Sequence, residues 1–77
     1  MAKKRELHIE IAERLAYILD SKNISCEELA KAINVAPAKI SRVINNYAGT
    51  EEIQLSFLCS VCDYIGCTLD WLVGRVD

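Results

Sequence analysis

Apolar residues return every three or four positions along almost the whole of this chain, while strict alternation in steps of two is rare, so the pattern predicts helices throughout. Ile11, Leu15, Ile18 and Leu19 share one face of a first helix from about Glu6 to Ser21. Lys22 and Asn23 suit its end, because a cation favours the negative helix terminus and Asn tolerates a left-handed turn. Ser25-Cys26-Glu27-Glu28 reads as a capping box, with Ser25 as N-cap and Glu28 reaching back to it. Leu29, Ala30 and Ile33 then face inward until Asn34, a residue that accepts positive φ. A third helix opens on Pro37, where a missing N–H costs nothing. It shows Ile40, Val43 and Ile44 on one side and ends at Asn45-Asn46. After a loop through Tyr47-Ala48-Gly49, a fourth helix starts between Thr50 and Leu55 and runs to about Ile65, turning Leu55, Leu58, Val61, Cys62 and Ile65 to the core. Gly66 stops it. A last short helix from about Thr68 to Leu72 carries Leu69, Trp71 and Leu72, with Val76 beyond.

Residues 26–45 hold the most specific pattern. Two short helices joined by three or four residues cross steeply only if their contact is small and the turn can bend. Leu29, Ile33, Val35, Ile40 and Val43 are the apolar positions that lock such a pair together. Ala30 falls where the helices approach most closely, and Asn34 falls where positive φ is required. Seven positions agree with a helix-turn-helix. Its third-helix outer face carries Pro37, Ala38, Ser41, Arg42 and Asn45, with Lys39 flanking, and this is the face that meets a major groove. Arg42 matches guanine O6 and N7. Lys39 reaches guanine or a phosphate, Ala38 packs on a thymine methyl, Asn45 bonds a phosphate or an adenine, and Lys31 on the second helix touches the DNA backbone.

Charge changes the picture only locally. The 77 residues suffice for one domain with a small core, and 9 basic against 11 acidic residues give a net charge of −2. That is not the strongly basic footprint of a non-specific DNA binder. From Leu29 to Thr50, however, Lys31, Lys39 and Arg42 occur with no acid at all. One positive surface on an acidic body is expected. Glu27-Glu28 and Glu51-Glu52 read as first-turn acids that favour the helix dipole rather than as catalytic carboxylates.

The remaining chemistry excludes more than it adds. No paired nucleophile and base, phosphate loop or metal set stands out, so no enzymatic activity and no cofactor are expected. Cys59, Cys62 and Cys67 read as small apolar residues rather than as zinc ligands. Cys26, at a helix N-terminus where a thiol pKa falls, is a candidate redox-sensitive point. No segment is long and apolar enough for a bilayer and no secretion signal is visible. A cytosolic protein with reduced thiols is therefore expected. His8 has no visible partner, and Lys3-Lys4-Arg5 reads as a solvated start, the alternative being a flexible arm that brushes phosphate.

The run ISCEELAKAINVAPAKISRVINN resembles the DNA-binding unit of lambda-repressor and Cro-like regulators, the XRE type, and the ending IGCTLDWLVGRVD resembles the same family. The resemblance extends from about Ile11 to Asp77. It implies an all-α, compact five-helix domain over residues 1–77 that binds double-stranded DNA through its second and third helices, as a homodimer on a palindromic operator. It places contacts at Cys26, Ala36, Pro37, Ala38, Arg42 and Asn45. The chain departs from the family pattern at Cys26, where Gln is frequent, and at Ala36, where Ser or Thr is frequent. Pro37 and Ala38 stand where polar readers are usual. A repressor is the expected function, with Trp71, Leu72, Val76 and part of the fourth helix at the dimer interface. The acidic balance, Ala36 and Pro37 motivate a second reading: a protein-interaction module such as an antitoxin or antirepressor, on the same fold, with a protein partner and weak or no DNA binding.

Overall fold

The computed structural model describes residues 6–75, in which α1 (Leu7–Ser21), α2 (Cys26–Ile33), α3 (Pro37–Ile44), α4 (Leu55–Ile65) and α5 (Leu69–Leu72) follow one another with no strand among the described residues. Four of the five helix ends turn through left-handed backbone, at Asn23 (φ 57°), Asn34 (φ 61°), Gly66 (φ 87°) and Gly74 (φ 80°). After α1, Ile24 donates its N–H to the Leu19 carbonyl at 2.9 Å, and after α2, Val35 donates to the Ala30 carbonyl at 2.9 Å. These bonds satisfy carbonyls that a helix end otherwise leaves open. They also reverse the chain within three residues, which is what lets five short helices share one core.

That core is continuous. Ile11, Leu15, Leu29, Ile40, Val43, Val61 and Leu72 are its largest fully buried side chains. α1 packs on α3 and α5, α2 on α3 and α4, and α4 on α5. Helices this short are not stable alone. The four-residue α5 persists because Leu72 is buried and because the Thr68 hydroxyl accepts the Trp71 N–H at 3.2 Å.

Half of the expected capping box forms. Ser25 Oγ accepts the Glu28 N–H at 3.0 Å. The Glu28 carboxylate, expected to reach back to Ser25, instead accepts the Tyr64 hydroxyl of α4 at 3.1 Å and so ties α2 to α4. That bond holds the Tyr64 phenol above its ordinary pKa, because ionisation would set a phenolate against a carboxylate. Ser25→Ala is expected to cost about 1 kcal/mol, read as a fall of several degrees in the thermal midpoint.

Three expectations are corrected. Glu51 and Glu52 are not first-turn acids, since both precede α4, whose first turn holds no acid. Leu55 does not face the core. It is the first residue of α4 and 65% exposed, and Phe57 takes the buried position there. His8 is not without a partner, since its Nε2 lies 3.3 Å from the Tyr47 carbonyl oxygen. Gly49 (φ 75°) lies close against the same imidazole, where an added Cβ would stand 2.9 Å from the ring. The start of α1 thus braces the loop between α3 and α4. Among the described residues no helix is long and apolar enough to cross a membrane. Residues 1–5, with Lys3-Lys4-Arg5, and Val76 lie outside the described residues.

Candidate nucleic-acid interface

α2 and α3 are set by the turn between them. Asn34 takes φ 61°, ψ 49°, and Ala30 beneath it is wholly buried. A larger side chain at Ala30 would push the two helices apart. Because α3 buries Ile40 and Val43, the other side of the helix faces outward. Pro37, Ala38, Ser41, Arg42 and Asn45 all lie exposed on it, Ala36 is exposed just before it, and Lys31 is exposed on α2. Ala36 is the N-cap of α3 but offers no side-chain cap, and Pro37 is the first helical residue. At the other end, Asn45 Nδ2 donates to the Ser41 carbonyl at 2.9 Å and closes the helix.

The two cations of α3 are not equivalent. Lys39 Nζ donates to Glu51 Oε2 at 2.8 Å and to the Glu52 carbonyl at 2.7 Å, and it sits 5.5 Å from the centre of the Phe57 ring. Its side chain is largely covered. Arg42 is 57% exposed at its side chain and is held through Nε, which donates to Glu51 Oε1 at 3.0 Å. Among the described residues, its two terminal Nη groups make no hydrogen bond. Glu51 therefore accepts from both cations with one oxygen each. The Lys39 bond, with Arg42 beside it, holds the Glu51 carboxyl below the usual carboxylate range against an opposing desolvation.

Glu51 is itself fixed from below. Asn46, the one buried polar side chain among the described residues at 4% exposure, accepts the Glu51 N–H on Oδ1 at 3.0 Å and donates Nδ2 to the Glu51 carbonyl at 3.4 Å. Burial of an amide is tolerated when both its ends are bonded. This arrangement weakens the expected positive surface without removing it. The stretch free of acids ends at Thr50, and the next residue folds back onto the cations. Two cations and one carboxylate leave a single net positive charge in that cluster.

The remaining candidates are dispersed. Cys26 starts α2 half-buried and packed on the core. Trp71 is half-buried, with the Arg14 guanidinium 5.3 Å from the centre of its ring and the Tyr17 ring 6.3 Å away. Leu72 is wholly inside the domain and presents no surface of its own. The four cysteines are free thiols, and among the described residues no three His, Cys, Asp or Glu side chains are grouped to hold a metal ion. Cys67 donates to Cys62 Sγ at 3.7 Å. Burial pushes the Cys62 thiol up to about 12, so it stays protonated at neutral pH.

Sequence reasoning missed Glu51 and Asn46 as parts of this face. The available signal was a paired acid following directly on the basic stretch, with an Asn upstream able to pin a turn. Residues 14–77 match the family model described as the Cro/C1-type HTH DNA-binding domain. Comparison with curated proteins and with solved structures finds no match.

Proposed function

This chain belongs to the Cro/C1-type helix-turn-helix DNA-binding domain family, and we propose that it is a sequence-specific regulator of transcription that represses as a homodimer on a palindromic operator. The observation that carries this reading is Arg42, a cation on the exposed side of α3 whose bidentate tip is open to solvent. A guanidinium so placed suits the O6 and N7 edge of guanine. Pro37 and Ala38 offer apolar contact to thymine methyls. Ser41, Asn45 and Lys31 supply phosphate contacts, and Lys39 flanks the site. Cys26 and Ala36 lie at the helix starts, where the DNA backbone passes closest. Dimerisation is assigned to Trp71, Val76 and part of α4, with Leu72 supporting Trp71 from beneath, so that two copies of α3 enter major grooves about 34 Å apart. Occupancy of the operator would then block polymerase.

A second reading is a protein-interaction module of the antitoxin or antirepressor kind. It is favoured by one observation, the neutralisation of part of the cationic face by Glu51.

Selection of bound duplexes from a random pool, at low and moderate salt, separates the two. The regulator is expected to enrich a palindrome with half-sites one helical turn apart. Arg42→Ala is expected to cost about 1–3 kcal/mol of discrimination at one base pair per half-site. No enrichment at low salt, together with no retention on heparin, would reject the regulator in favour of a protein partner.

A further inference from the structure

We propose that Glu51 is a specificity-determining positioning residue: it clamps the flank of Arg42 so that the guanidinium presents its two Nη groups outward in one orientation. The inference rests on the reading of α3 as a DNA-reading helix and deepens it. An arginine on a helix surface has many rotamers to lose, and a fork that is already oriented loses fewer of them on binding. Glu51 supplies that orientation without using the tip, because its Oε1 takes Nε alone, at 3.0 Å.

Glu51 can do this because the residue is held at three points. Asn46 fixes its backbone on both sides. Lys39 takes its second oxygen at 2.8 Å and compensates its charge. Lys39 is in turn anchored by the Glu52 carbonyl at 2.7 Å and faces the Phe57 ring. Lys39, Glu51 and Arg42 form a chain of contacts leading from the edge of the core to the solvent. In this chain Lys39 acts through Glu51, and Glu51 through Arg42. The carboxylate also opposes phosphates that approach the same face. It therefore lowers affinity for any duplex while raising the ratio between the right one and the wrong one. Negative charge near the reading face and rigid geometry of the reader work in the same direction, toward discrimination.

Binding of the full chain to its selected duplex and to a scrambled duplex, measured for wild type, Glu51→Gln, Arg42→Ala and the double variant, tests this. The Gln side chain keeps the size of Glu and removes its charge. Glu51→Gln is expected to tighten scrambled-duplex binding a few-fold at low salt, and to reduce the specific-to-scrambled ratio about tenfold. In the Arg42→Ala background the same change should leave that ratio within about twofold, because coupled residues are not additive. A role confined to holding the loop would lower the ratio equally in both backgrounds and overturns the proposal. So does an equal gain for both duplexes with the ratio unchanged, which would make Glu51 a simple competitor for the cations. A wild type without preference for any duplex fails differently: it removes the DNA-reading function itself, and the positioning role with it.

Discussion

Leu72→Ala is expected to destabilise the domain by about 2–5 kcal/mol, the range for truncating a buried leucine. A small domain has about 5–15 kcal/mol in total, so the loss is a large fraction of its stability. The thermal midpoint should fall by at least about 10 °C. Leu72 is the only fully buried residue of α5, and α5 joins α1 to α4. A helix of four residues has no stability to fall back on once its anchor is removed. The same measurement locates the residue. Loss of a core contact lowers the midpoint equally at every protein concentration, whereas loss of a dimer contact produces a drop that grows as concentration rises. A concentration-dependent loss would contradict the buried position of Leu72.

Ala38→Glu should have the opposite profile, with binding lost and the fold intact. Ala38 is exposed on α3 directly after Pro37. An acid in the first helical turn is favourable to the dipole, so stability should be unchanged or slightly higher. In a DNA groove the same carboxylate faces phosphates, and like charges brought together across an interface cost several kcal/mol. Affinity for specific and scrambled duplexes is expected to fall by roughly 100-fold or more, with a normal unfolding curve as the control. Undiminished binding would show that α3 does not enter the groove by this face. Arg42→Ala differs in kind, since it should relax discrimination while leaving much of the non-specific affinity in place.

Much of the fold is legible along the chain because its signals are local. The apolar period sets the helices, and Ser25, Asn34, Pro37 and Gly66 mark their ends through backbone preferences that need no tertiary partner. Asn34 is a clear example: a left-handed turn was required, and the turn residue adopts it at φ 61°. Leu55 escaped because periodicity cannot tell where a buried stripe runs out at a helix end. Glu28 escaped because its local acceptor role competes with a hydroxyl 36 residues away, on Tyr64. His8 escaped for the same reason, its neighbour Tyr47 lying 39 residues along.

The exposed face of α3 follows the same division. Once Ile40 and Val43 are inside, helical geometry alone turns Pro37, Ala38, Ser41, Arg42 and Asn45 outward. The sequence by itself determined the all-helical domain, the helix-turn-helix and the roster of its outer side chains, because these depend on spacing and on backbone preference within a few residues. Only the tertiary structure decided their electrostatic state. The loop after α3, pinned by the buried Asn46, carries Glu51 back over 12 positions to Lys39 and 9 to Arg42. A charge acts through distance in space rather than separation along the chain, so an acid just beyond the basic stretch in sequence sits between its two cations in the folded protein.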